Sequence, residues 1–351
     1  MDQIWWGRVP NAMAFVQHIT ECLLVEKSVI LQSEQTIPWH DSLVEHIQEA
    51  VTQQDSSKRF EVIRHVDDPG AFLLNEFCKA EKRAEYRPTK SFARFLAESD
   101  DIVLHSRYLW VYLESAKDLD KWSAFASDYI KERGKNKEMA VFILEWRGER
   151  IKASRKGVRP VSLDDYINEY DRMVFSMLAS SSIKETLTVK NYLAELSANV
   201  AGNDIELLAS CIEKHDQFLR DPYTVIREIV DTEYRSDGSE YSYPGTIENV
   251  EHCIWKAQIK TIYPLIEEFR GGFVAKHSGA ILKELPIESA YGEIYDDPID
   301  VELGTLVYMA ANGKILLTSA DYYQLKKNKD ARNQLSHLNT LTIDEIRELI
   351  G

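Results

Sequence analysis

Ala140–Trp146 reads Ala-Val-Phe-Ile-Leu-Glu-Trp, an apolar run of strand length. It is the last of four such runs in the first half of the chain. Ser28–Leu31 (SVIL) is short and β-branched, Phe60–Val66 (FEVIRHV) alternates, and Tyr108–Leu113 (YLWVYL) is aromatic and apolar. Between them the apolar spacing changes to that of helices. Phe15, Ile19, Leu23 and Leu24 follow Pro10-Asn11, and Trp39–Val51 follows Pro38. Phe72, Leu73 and Phe77 follow Asp68-Pro69, and a further helical segment surrounds Trp122–Ile130. Strands separated by single helices predict a mostly parallel sheet covered on both faces. Ala140–Trp146 is expected to be its last strand.

That layout is compatible with a P-loop NTPase, so the segment after the first strand decides the chemistry. A phosphate cradle needs glycines that bring backbone N–H groups close, and a lysine for the β- and γ-phosphates. Here the segment is Gln32-Ser33-Glu34-Gln35-Thr36-Ile37-Pro38, with no glycine, no lysine and an acid. No GxGxxG occurs anywhere. Glu114 ends a strand, as a metal-binding or water-activating acid would, but alone it reads better as a strand-end carboxylate facing solvent. The first half therefore reads as a nucleotide-binding-like α/β domain without a phosphate loop, and no cofactor or metal is expected. Trp5, Trp6 and Trp39 are either an exposed aromatic anchor for a partner or core residues.

The balance of the chain is acidic. Across 351 residues the formal net charge is −15, which argues against a general electrostatic grip on nucleic acid. Two basic runs remain, Arg147, Arg150, Lys152, Arg155, Lys156 and Arg159, then Lys326, Lys327, Lys329 and Arg332. Four scattered cysteines form no CxxC pair and read as small buried residues of a reducing compartment. The N-terminus lacks the basic and apolar regions of a signal peptide, and no apolar stretch is long enough to span a bilayer. A cytoplasmic protein without membrane contact is expected.

Beyond Lys156 the pattern is helical. Leu163–Leu178, Ile183–Leu196 and Asp204–Leu219 have helical spacing, and Asp221-Pro222 opens another helix. Tyr234–Gly245 is rich in Gly, Ser and Tyr and reads as a linker. Three regions are therefore expected: residues 1–156 as the α/β domain, 157–240 as a helical middle region, and 241–351 as a helical bundle. In the last, Thr246–Phe269 is one long helix, Gly271-Gly272 breaks it from Phe273–Leu285, Val301–Asn312 is the next helix, and Ala320–Ile350 holds two more. Val250, Ile254, Ile262, Leu265 and Ile266 form its core stripe.

Asp330-Ala331-Arg332-Asn333-Gln334-Leu335-Ser336-His337 lies near the end of that bundle. It resembles the signature of the HEPN superfamily, an Arg, usually followed by a polar residue, with four to six residues between it and a His. Two other Arg–His pairs have allowed spacing, Arg59…His65 and Arg270…His277, but neither has Asn after the Arg nor lies in a terminal helix. The resemblance covers about the last hundred residues. It implies RNA as partner, a homodimer through the C-terminal bundle, and membership of a prokaryotic defence or toxin system. Chemically, His337 would move a proton for 2′-OH attack, Arg332 would meet the charge on phosphorus, and Asn333 would orient them, without a metal. On a continuous helix Arg332 and His337 point about 140° apart, so a second copy would have to complete the cleft. The rival expectation is a non-catalytic assembly subunit of a defence complex, with a degenerate NTPase-like domain and a HEPN-like docking bundle.

Overall fold

The computed structural model describes residues 1–350 except 65, 67, 135–136, 152–154, 289–291 and 293. His65 and Lys152, singled out above, lie outside the described residues. Contacts divide the chain into two units, Met1–Phe175 and Ser176–Gly351. The first unit thus runs past residue 156, and the helical remainder forms a single unit by contact.

In the first unit the order is α1 (Asp2–Arg8), α2 (Pro10–Leu24), β1 (Ser28–Ser33), α3 (His40–Gln54) and β2 (Arg59–Ile63), then α4 (Pro69–Phe77), α5 (Ala80–Ala84) and α6 (Phe92–Glu98). It continues with β3 (Arg107–Leu113), α7 (Ala116–Arg133), β4 (Val141–Arg147), β5 (Val158–Ser162) and α8 (Glu169–Ser180), which crosses the division. The strands form a parallel sheet in the order β2-β3-β4-β1-β5. The expected α/β layout with a parallel sheet is present. The expectation that Ala140–Trp146 is the last strand is corrected by β5. Its sequence, Val-Arg-Pro-Val-Ser, has only two apolar side chains besides proline, because an edge strand keeps one side toward solvent.

One sheet face packs Ile30, Leu109, Val111, Phe142 and Leu144 against α4, α6 and α7, with Trp122, Phe125 and Tyr129 filling the middle. The other face lies under α2 and α3. Trp5 and Trp6 are 0% and 1% exposed, and Trp5 meets Phe175 edge-on at 5.6 Å. The aromatic-anchor reading therefore fails for this pair, whose rings are core of the unit, while Trp39 is half-buried. Three cysteines are buried and Cys253 is intermediate, so all four are free thiols.

The second unit holds α9 (Leu187–Ala201), α10 (Ile205–Glu213), α11 (His215–Phe218), α12 (Pro222–Thr232), α13 (Ile247–Thr261) and α14 (Tyr263–Ile281). After a small antiparallel hairpin, β6 (Ile287–Glu288) with β7 (Ile294–Tyr295), come α15 (Leu303–Ala311), α16 (Ser319–Ser336) and α17 (Ile343–Ile350). Two expectations are corrected. The long helix 246–269 breaks at Ile262, where Pro264 enters the first turn of α14. Gly271-Gly272 does not break anything: α14 runs through it, since glycine costs a helix about 1 kcal/mol and does not forbid it. Tyr234–Gly245 is a loop closed by a bridge between Tyr234 and Glu240. Among the described residues no helix is long and apolar enough to cross a membrane.

Candidate functional site

The chain leaves β1 for β2 at one edge of the sheet and leaves β4 for β5 at the other. The connections therefore diverge beside β1, where open α/β sheets place their ligands outside the carboxyl ends of the strands. A helix N-terminus facing that crevice is an anion site when its backbone donors are free. Here no side chain caps the first turn of α3, but donors of the loop that leads to it are taken by protein. Glu34 N donates to Asp164 Oδ2 at 3.0 Å and Gly148 N donates to Ser33 O at 3.1 Å. Ser33 Oγ and Gln35 bond each other, and Trp6 Nε1 fixes Pro38 O at 3.0 Å. Trp39 then enters α3 in a left-handed conformation, φ 42°, which is uncommon for a bulky side chain and available to glycine at no cost.

Beneath this loop lies a buried ionic cluster. His40 opens α3 and Glu145 is the lone acid of the β4 run; they are 4% and 2% exposed. Their Nε2 and Oε2 are 2.7 Å apart, Trp110 Nε1 donates to the same Oε2 at 2.8 Å, and Arg147 Nε donates to Oε1 at 2.9 Å. Burial pushes the Glu145 carboxyl up, but the His40, Arg147 and Trp110 donors outweigh it and hold the group below its ordinary range. Tyr112, 5.3 Å from His40 by ring centroids, is pushed up to about 12 by burial and by Glu145. Glu34, Asp41 and Asp164 add carboxylates around this loop, no lysine follows β1, and the cation beside it, Arg147, is bound to Glu145.

The sequence offered one signal for this cluster: an acid inside an apolar strand run. A buried charge must find partners, yet nothing in the linear pattern says that they are His40, Trp110 and Arg147. Glu114, the acid singled out instead, is exposed.

The Arg332–Asn333…His337 motif is in the second unit. Arg332 and Asn333 lie within α16, and His337 is its cap, exposed to solvent. Arg332 donates to Glu302 at 3.1 Å and lines a polar pocket of about 300 Å³ with Tyr263, Glu267, Arg270, Asp300 and Glu302. His337 does not line it. Its backbone N closes the last turn on Asn333 O and Gln334 O, and Trp255 Nε1 holds Leu335 O at 2.7 Å. No hydrogen bond joins the side chains of Arg332, Asn333 and His337 to one another. Within one chain the structure does not bring the three together. Arg270, from the second Arg–His pair, reaches the same pocket as Arg332, while His277 packs on Phe273 at 4.5 Å.

The basic runs are largely neutralised. Arg147 pairs with Glu145, Arg150 with Asp165 and Arg155 with Asp120. Lys327 pairs with Glu348, Lys329 with Asp330 and Arg332 with Glu302. Among the described residues no group of three or more His, Cys, Asp and Glu side chains could hold a metal ion.

No family model matches the chain, and no curated protein matches it. Solved structures superpose on it weakly. Rhizobiales Trip13 is 13% identical with a TM-score of 0.33, over 70% of this chain and 88% of the other. The E. coli MS115-1 HORMA:CdnC:Trip13 complex is 11% identical, TM-score 0.31, over 69% and 88%. The Aeropyrum pernix ORC2 protein in its ADP form is 12% identical, TM-score 0.33, over 96% and 82%. Likeness at this level carries no functional assignment.

Proposed function

We propose that this chain is a non-catalytic assembly subunit: an α/β scaffold whose phosphate position is closed, joined to a helical unit, HEPN-like in its motif, that docks partners. The observation that carries this reading is the set of donors and carboxylates at the carboxyl end of β1. Glu34 N is held by Asp164, and Glu145 is locked by His40, Trp110 and Arg147 where an incoming phosphate would need positive charge. The polar pocket around Arg332 supports it too, because its carboxylates face the same arginine that a nuclease would aim at a phosphate.

The test has two arms. Titration of the purified chain with Mg-ATP and Mg-ADP, followed by tryptophan fluorescence and calorimetry, is expected to show no saturable binding and no hydrolysis. Gel filtration of extracts from the native source, probed with an antibody to the chain, is expected to find it in a species well above a dimer of the 40.5 kDa chain. Nucleotide turnover, or a chain that stays at its isolated size in the extract, overturns the reading.

The metal-independent endoribonuclease is the second reading, and one observation favours it: His337 is exposed and its ring is free to meet a substrate. It requires Arg332 from another copy. Cleavage of single-stranded and transfer RNA in EDTA, lost in His337→Ala and leaving cyclic phosphate ends, would establish it in place of the scaffold.

A further inference from the structure

We infer that the polar pocket between α14, α15 and α16 binds a free α-amino acid with an apolar side chain, its carboxylate on Arg332 and its ammonium on Asp300. The pocket holds about 300 Å³, the small end of the range for small-molecule sites, and every lining residue belongs to the second unit. Asp297-Pro298 opens the short turn Pro298–Asp300 that forms one wall, and Asp297 Oδ1 closes it by accepting from Ile299 N at 3.0 Å. Arg270 of α14 fixes that wall. Its Nε donates to Glu267 at 2.7 Å, and its Nη1 donates to Ile299 O at 2.5 Å and Val301 O at 3.5 Å. Those two carbonyls flank Asp300 in the chain, so the backbone that carries the Asp300 carboxylate is held from both sides. Arg270 is a positioning residue, and most of its donors are spent on that task.

The groups left over select the ligand. Arg332 makes one hydrogen bond, from Nη2 to Glu302 at 3.1 Å, out of the five N–H donors a guanidinium carries. A carboxylate suits such a group, because planar fork and planar acceptor meet through two parallel bonds. The Asp300 carboxylate has no hydrogen bond or ion pair among the described residues, and the Tyr263 hydroxyl has no hydrogen bond among them either. Unspent charges of both signs therefore line one small cavity. A lone anion drawn to Arg332 would also meet Glu267, Asp300 and Glu302, and a lone cation drawn to Asp300 would meet Arg270 and Arg332. A molecule that carries a carboxylate and an ammonium on one carbon answers both, with the Tyr263 hydroxyl as a further donor to the carboxylate. Ile299 sets the rest of the ligand. It lines the same pocket, 51% exposed, beside buried Leu303. An apolar side chain laid on it leaves water together with it. This goes beyond the docking role of the helical unit, and it does not rest on the closed phosphate position.

The experiment is calorimetric titration of the full chain with leucine, N-acetyl-leucine and leucine amide, the last two each lacking one charge. Leucine is expected to bind saturably and each analogue roughly ten-fold or more weakly. Asp300→Asn, at an exposed and unpaired position, should melt with wild type and raise the leucine dissociation constant roughly ten-fold, while N-acetyl-leucine, which has no ammonium, binds it as before. Arg332→Lys keeps the charge but loses the fork, so it should weaken leucine and leave leucine amide unchanged. Absence of saturable heat from leucine, methionine and phenylalanine up to about 10 mM overturns the proposal. So does an analogue that binds as tightly as leucine, or a leucine affinity indifferent to Asp300→Asn. Displacement of leucine by an equal concentration of inorganic phosphate would make the pocket an anion site and overturn it as well. None of these results touches the assembly reading, which nucleotide titration and sizing in native extract test separately.

Discussion

The His40–Glu145 cluster of the first unit and the Arg332–Glu302 pair of the second hold the same kinds of groups, a base against a carboxylate, in different surroundings. Glu145 is 2% exposed and accepts from three side chains. The Arg332 and Glu302 side chains are 30% and 50% exposed and share one contact. Water can replace a partner at the second place and cannot at the first. The comparison separates a charge that the fold depends on from one that the fold merely carries, and burial makes the difference.

Glu145→Ala tests the buried side of the comparison. It leaves His40 and Arg147 without their carboxylate and is expected to cost about 3–5 kcal/mol in denaturant unfolding. A cost below about 1 kcal/mol would mean that the cluster is wetter than its burial implies.

Gln258 is a neutral counterpart in the second unit, 0% exposed. It donates to Tyr192 Oη and Leu341 O and accepts from Leu341 N, which completes the backbone between α16 and α17. Gln258→Ala should cost about 2 kcal/mol, measured the same way, with loss of amide protection first at Leu341.

The pH dependence sharpens the ionic part. The folded pKa of Glu145 lies below its unfolded value, so its charge contributes stability that is fully present above the unfolded carboxylate pKa, about 4.3. That contribution is lost as pH falls through the depressed folded value. Glu145→Gln lacks it, so the stability gap between wild type and variant should be full at pH 7 and close in acid. A gap independent of pH would assign the effect to packing alone.

At the small end, Arg332→Ala should change stability by no more than about 1 kcal/mol, with the effect shrinking in high salt. A larger loss would move Arg332 from carried to required and would call for a buried role in its pocket.

The four strand runs and most helices could be read in the sequence because apolar period and capping residues are local properties. Asp68, Asp204 and Asp221 cap their helices through side-chain bonds to the third residue on, as the Asp-Pro and Asn-Asp signals imply. β5 could not be read, since an edge strand needs little apolar pattern. Gly271-Gly272 misled because glycine marks a break only where nothing else holds the helix.

For the candidate sites, the sequence by itself determined the absence of a glycine-and-lysine cradle after β1, because that chemistry needs particular residues in one short loop. It also set the helical spacing that separates Arg332 from His337. Only the tertiary structure decided that Glu145 meets His40, Trp110 and Arg147, and that Arg332 faces Glu302. Those partners are between 2 and 105 residues distant in the chain, and nothing but the packing of sheet and helices chooses among the many charges each could have met.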